Sequence, residues 1–198
     1  PCRELAATSG AVVMSVDYRL APEAPYPAAI DDCLAAYCWL SEHSGELGVD
    51  GDALALMGDS AGGNLAALVA LGARDQGLRP PAVQALVYPA TDFTMTSRSI
   101  DTFAEGFLLT RDSMEWFRGQ YLPDSERWHD PAASPLYADV TGVAPALVFT
   151  GGFDPLRDEG RAYAAKLAEA GVPVVDRCFD DQIHGFYNIA ITRSSVAA

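Results

Sequence analysis

The stretch ALALMGDSAGGNLAALVALGARD, residues 53–75, decides the fold. Residues 53–58 form an unbroken apolar run, the pattern of a buried strand. After it, Leu65, Leu68, Val69 and Leu71 recur at helical spacing, which predicts a helix over 61–75. Between the two lies Gly58-Asp59-Ser60-Ala61-Gly62, of the form Gly-x-Ser-x-Gly. A sharp strand-to-helix turn strains the backbone of its central residue and needs small neighbours at the crossing. Ser60 then projects its hydroxyl at the top edge of a sheet. The helix N-terminus behind it favours a developing negative charge, and the backbone N–H of Ala61 is the candidate oxyanion donor. A plain glycine-rich helix start or a phosphate cradle is the competing reading. The strand before the motif and the helix after it weigh against both.

Working outward, residues 3–9 read as the end of a helix stopped by Gly10. Residues 11–17 (AVVMSVD) are short, apolar and β-branched, so a buried strand is expected there. A loop with Pro22, Pro25 and Pro27 precedes a helix over 28–43. Further strands are expected at 83–88, 146–151 and 173–179, and helices at 110–121, 158–170 and from 186 onward. Thr110 is the expected cap of the 110–121 helix. Its box partner is Ser113 rather than Glu, so the cap is expected to be partial. Alternating strands and helices, with strands apolar on both faces, imply a single α/β domain with a mostly parallel sheet flanked by helices. Residues 92–140 interrupt the alternation as a long helical insertion rich in Thr, Ser, Phe and Trp. An insertion there lies over the carboxyl ends of the strands, where open α/β sheets bind ligands.

A serine hydroxyl needs a base, and the chain has only three histidines. His43 ends a surface helix and His129 lies in the insertion. His184, in Gln182-Ile183-His184-Gly185-Phe186, follows the last strand, so its loop can reach Ser60. An orienting carboxylate completes the set. Asp154 stands just past the strand at 146–151, at the same sheet edge. Asp158, four residues on, is the rival, but it fits better as a charge flanking the next helix. Asp180 and Asp181 read as exposed loop charges. The order Ser60, Asp154, His184 is that of α/β hydrolases. Asp59 is a candidate pocket residue, though a structural hydrogen bond suits it better in a tight turn. Arg19 and Glu23 are expected to fix their loop as an ion pair. Phe93, Phe107, Leu108 and Trp116 either line an acyl pocket or form the insertion's own small core.

The bulk properties agree with an ordinary globular domain. Hydrophobic residues make up 49% and charged residues 20% of the 198 residues. With 27 acidic against 13 basic residues, the net charge of −14 argues against nucleic acid and anionic lipid as partners. No apolar run reaches membrane-spanning length. Cys2, Cys33, Cys38 and Cys178 form no Cys-x-x-Cys pair and no zinc-spaced cluster with histidine, so no metal is expected. Cys33 and Cys38 lie five apart on a helix and point in different directions. Reduced cysteines and no visible signal peptide lead to the expectation of a cytoplasmic protein.

Several segments together resemble the hormone-sensitive lipase family of α/β hydrolases, within it the bacterial esterases with a GDSAG motif. They are VDYRLAPE at 16–23, YPAAIDD at 26–32, GDSAGGN at 58–64, SPLYAD at 134–139, DPLRDEG at 154–160, AGVPV at 170–174 and HGF at 184–186. The resemblance implies a carboxylesterase acting on short acyl esters without a cofactor. Ser60 would be the nucleophile, Asp154 the acid, His184 the base and Ala61 an oxyanion donor. It leaves room for a homodimer. The family's HGGG motif, which completes the oxyanion hole, is absent from the chain. By the family's strand order, the runs at 11–17 and 53–58 would be separated by a strand that this chain does not supply. The expectation is therefore a partial domain of weak activity. A non-catalytic ligand receptor and an amidase or peptidase on the same scaffold are the alternatives.

Overall fold

In the computed structural model, which describes residues 1–189, helix α1 (Cys2–Ser9) ends on Gly10 in the left-handed conformation. Helix α2 (Ala28–His43) follows the proline-rich loop. Strand β1 (Ala55–Asp59) turns through Ser60 into helix α3 (Ala61–Asp75). Strand β2 (Val83–Val87) leads into residues 92–140, which hold helices α4 (Arg98–Thr102) and α5 (Arg111–Tyr121). Strand β3 (Ala146–Phe153), helix α6 (Arg157–Glu169) and strand β4 (Val174–Ile183) follow. The helix expected from 186 lies mostly outside the described residues; those that are described form a turn.

Among the described residues, four strands pair in the order β1-β2-β3-β4, all parallel. Burial on both faces holds only for the inner strands. Among the described residues β1 and β4 are the edges, with Met57 39% and Val175 54% exposed. The run at 11–17 is not a strand. It has no ladder partner among the described residues, and Val12 is 75% exposed. β-branched apolar composition supports a strand only when a neighbour takes its backbone hydrogen bonds.

Helix α3 is the centre of the molecule. Every residue from Gly63 to Leu71 is buried, and so is Ala73. One side of it joins Leu86, Val148, Tyr163 and Leu167 in the main core. Another packs Val69 and Ala73 against Tyr37 of α2. Burial of the middle of α3 fixes its position, which matters because Ser60 caps it. The cap of α5 is stronger than its sequence implies. Thr110 Oγ1 accepts from the Ser113 N–H at 3.2 Å, and Ser113 Oγ accepts from the Thr110 N–H at 3.1 Å. A serine hydroxyl is long enough to close the box that Glu usually closes. Arg19 pairs with Asp32 in a bidentate contact, not with Glu23, because α2 brings Asp32 alongside. The guanidinium holds the Asp32 carboxyl at about 2. Cys2, Cys33, Cys38 and Cys178 are free thiols, and burial pushes Cys33 up to about 11.

Candidate active site

Ser60 sits at φ 55 and ψ −119, a backbone conformation sparsely populated by residues with a Cβ. Hydrogen bonds enforce it. The Ser60 N–H donates to Val87 O at 2.9 Å, and Ser60 O accepts from the N–H groups of Asn64 at 3.1 Å and Ala90 at 3.2 Å. Close approach also requires missing side chains. A Cβ at Gly58 would run into the Gly62 carbonyl, and one at Gly63 would lie 2.9 Å from Pro89 Cβ. A Cβ at Gly62 meets nothing within 4 Å outside its own helix. The crossing therefore depends on Gly58 and Gly63 rather than on the last glycine of the motif. Ala61 opens α3, where backbone N–H groups have no preceding carbonyl in the helix to bond.

The other two groups arrive on strand ends. β3 ends at Phe153, and Asp154 follows fully buried; its Oδ1 accepts from the Leu156 N–H at 2.8 Å. β4 ends at Ile183, and His184 follows. The two strands close tightly there, with an irregular register between Gly151 and Phe153. A Cβ at Gly152 would run into the Asp180 carbonyl, so glycine is what permits the approach. As a result, His184 Nδ1 lies 2.8 Å from Asp154 Oδ2, and His184 Nε2 lies 3.0 Å from Ser60 Oγ. A carboxylate bonded to Nδ1 directs the free lone pair of a neutral imidazole to Nε2. There it can take the serine proton.

The rival groups lie elsewhere. Asp158 accepts from the Ser99 N–H at 3.0 Å and from Arg157 Nε at 2.8 Å, tying α6 to α4. Asp180 and Asp181 are exposed but belong to β4, not to a loop. His43 stacks on Trp39, and His129 packs against Tyr137. Asp59 accepts from Asn188 Nδ2 at 2.6 Å and from Tyr88 OH at 3.4 Å. A structural bond of this kind is what the tight turn predicts.

The aromatic candidates separate. The core of the insertion is built from Met95, Ile100 and Met114 with Leu156, and none of Phe93, Phe107, Leu108 or Trp116 is in it. Phe107 stacks parallel to Phe153, the residue before Asp154, with ring centroids 5.5 Å apart. Leu108, at φ 71, is exposed and lies over Gly185, next to His184. Phe93 packs against Tyr121 at 5.7 Å. Trp116 is 61% exposed and packs edge-on against Phe117, outside the core of the insertion. Helix periodicity over 110–121 does not reveal that this side of α5 is left uncovered by the described residues.

Two contributors escape sequence reasoning. Tyr88, at the end of β2 with φ 36, puts its ring 4.6 Å from that of His184 and 5.2 Å from that of Phe186. Glu159 is buried behind the site; its only signal is its place in DPLRDEG. A cleft of about 460 Å³ beside the C-terminal half of α3, lined by Leu68, Leu71 and Arg74, lies away from all these groups. Among the described residues, no group of His, Cys, Asp and Glu side chains has the arrangement of a metal site. No described helix is long and apolar enough to cross a membrane.

A serine at a strained strand-to-helix turn, a buried carboxylate and a histidine, each just past a different strand of one parallel sheet, form the arrangement of an α/β hydrolase. The profile of the family described as alpha/beta hydrolase fold matches residues 1–188, and the chain belongs to that family, on its hormone-sensitive lipase branch. It is 48% identical over 195 residues to carboxylic ester hydrolase LipN of Mycobacterium tuberculosis, covering 95% of this chain and 52% of that protein. It is 42% identical over 176 residues to ethyl acetate hydrolase of Pseudomonas putida, covering 87% and 55%. The chain thus spans about half the length of these curated relatives. Among solved structures, the hyperthermophilic esterase from Pyrobaculum calidifontis superimposes with a TM-score of 0.96 at 44% identity, covering 99% of this chain and 66% of that one.

Proposed function

We propose that this chain carries the catalytic residues of a serine carboxylesterase that hydrolyses short-chain acyl esters through an acyl-enzyme. The observation that carries this reading is the unbroken path Ser60 Oγ, His184 Nε2, His184 Nδ1, Asp154 Oδ2, at 3.0 and 2.8 Å, assembled from three separate strand ends. Relatives named as esterases at 40% to 48% identity support the reaction class.

Ser60 Oγ attacks the ester carbonyl carbon as His184 Nε2 takes its proton. Asp154 keeps the imidazole oriented and stabilises its positive charge. The Ala61 N–H donates to the oxyanion of the tetrahedral intermediate, a contribution typically worth about 3–4 kcal/mol. The imidazolium protonates the leaving alkoxide, which departs as the alcohol and leaves the acyl group on Ser60. Water, deprotonated by His184, then attacks the acyl-enzyme and releases the carboxylic acid. The balance closes with ester and water alone.

On this reading residues 92–140 act as a cap on a single catalytic domain. Phe107, with Phe153, and Leu108 border the acyl pocket beside the acid and the base. Phe93 stands further back.

The test is active-site labelling. A fluorophosphonate probe should attach to Ser60, located by peptide mass spectrometry, and hydrolysis of a short p-nitrophenyl ester should be lost together with labelling in Ser60→Ala. Ester hydrolysis surviving in Ser60→Ala, or label on another residue, would overturn the assignment.

A further inference from the structure

We propose that Glu159 is a positioning residue for the site: its buried carboxyl fastens the segment hydrogen-bonded to Ser60 onto the turn that carries Asp154. The proposal rests on reading Ser60, His184 and Asp154 as the catalytic set.

Glu159 lies in the first turn of α6 and is 1% exposed. Its Oε1 accepts from the backbone N–H of Thr91 at 2.7 Å and of Asp92 at 3.2 Å. Those residues continue directly from Ala90. The Ala90 N–H donates to Ser60 O at 3.2 Å, and Ala90 O accepts from Asn64 Nδ2 at 2.8 Å. The nucleophile elbow and Glu159 thus grip adjacent residues of one short segment. At the other end, the Arg157 N–H donates to Asp154 O at 3.0 Å, and the Leu156 N–H to Asp154 Oδ1. A route of hydrogen bonds joined by short stretches of backbone therefore runs from Ser60 through Ala90, Thr91, Glu159 and Arg157 to Asp154 without passing through His184. Packing presses the same elements together. A Cβ at Gly160 would lie 3.0 Å from Thr150 Cγ2 and 3.5 Å from Pro89 Cδ, so α6 sits directly on the segment that Glu159 grips.

The chemistry of the clamp is that of a neutral acceptor. Glu159 Oε2 is buried and has no hydrogen-bond partner among the described residues, an expensive place for a charge. Burial, with Asp92 and Asp154 nearby, pushes the Glu159 carboxyl well above the usual range, so it holds its proton. What the clamp uses is one carbonyl-like oxygen facing two N–H groups. An amide supplies the same oxygen, whereas a methyl group leaves both donors unpaired.

The experiment compares the chain with its Glu159→Gln and Glu159→Ala variants, each well below its own melting temperature. Two readouts are taken: the second-order rate of fluorophosphonate attachment to Ser60, and the low-field proton resonance of the His184 Nδ1–H bonded to Asp154. Glu159→Gln should keep the resonance and stay within about threefold of the parent rate. Glu159→Ala should slow the reaction between about tenfold and a hundredfold, the scale of a small misplacement of reacting groups, and broaden or shift the resonance. Should Glu159→Ala not fold, Glu159→Met fills the volume without accepting a bond and takes its place.

The idea is sunk by a variant lacking the acceptor that keeps both rate and resonance, which would leave Glu159 a matter of stability only. It is equally sunk by Glu159→Gln failing as badly as Glu159→Ala, which would make the charge the requirement. If the parent itself is not labelled at Ser60, the esterase reading fails, and the resonance alone decides the clamp.

Discussion

The strain at Ser60 can be measured by removing its Cβ. Ser60 holds φ 55 and ψ −119, and a residue with a Cβ in such a region costs about 1–3 kcal/mol. Ser60→Ala and Ser60→Gly both delete the hydroxyl and its 3.0 Å contact with His184 Nε2, so that loss cancels between them. What remains is the Cβ. Glycine relieves the strain but loses about 0.5–1 kcal/mol more chain entropy on folding. The net expectation is that Ser60→Gly is more stable than Ser60→Ala by about 1 kcal/mol. For a chain of this size that corresponds to a melting temperature higher by about 2–4 °C.

Differential scanning calorimetry of the two variants at one pH makes the comparison. Ser97 supplies the control. It caps α4 without a side-chain cap bond, as Ser60 does for α3, but at φ −69. The same pair of substitutions at Ser97 should show a smaller advantage for glycine or none. If Ser60→Ala melts at or above Ser60→Gly, the elbow is not strained, and the hydrogen bonds to Val87, Asn64 and Ala90 are not forcing an unfavourable conformation.

Three further outcomes are expected. Gly152→Ala places a methyl group against the Asp180 backbone where β3 and β4 close, which should cost about 1–3 kcal/mol or more and slow labelling of Ser60, because Asp154 and His184 follow those strands. Gly62→Ala, whose methyl meets nothing within 4 Å outside its helix, should leave the melting temperature unchanged or raised; equal effects of the two in calorimetry would show that the strand approach is slack. Glu159→Gln should gain stability relative to the parent as pH rises above the ordinary Glu value of 4.5. Folded Glu159 keeps its proton while the unfolded chain releases it, so the parent loses up to about 1.4 kcal/mol per pH unit across that window, and Gln removes the slope. Parallel stability–pH curves from urea titrations would contradict a protonated Glu159.

Much of the site was legible because its signals are local. A strand, a Gly-x-Ser-x-Gly turn and a helix are contiguous, and the geometry at Ser60 follows from backbone sterics within that stretch. With only three histidines in the chain, the one following the last strand stood out. Asp154 was marked by the same logic of strand ends. The α/β class followed from alternating periodicities, which each segment carries on its own.

What the sequence could not decide are pairings. The run at 11–17 has strand composition, but a strand exists only through a neighbour, and none of the described residues takes that place. Arg19 found Asp32 instead of Glu23 because α2 carries Asp32 to it. Helical spacing could not say that Trp116 faces outward while Met114, two residues away, enters the core of the insertion. Glu159 reads in sequence as one more acidic residue of a helix N-terminus. Only the packing of α6 on the segment after β2 makes it a buried acceptor whose carboxyl is pushed above its usual range. Identity and local spacing settle which groups can do chemistry, since sterics and periodicity act over a few residues. Their partners, burial and ionisation depend on atoms far along the chain, and those are set when the sheet and helices pack.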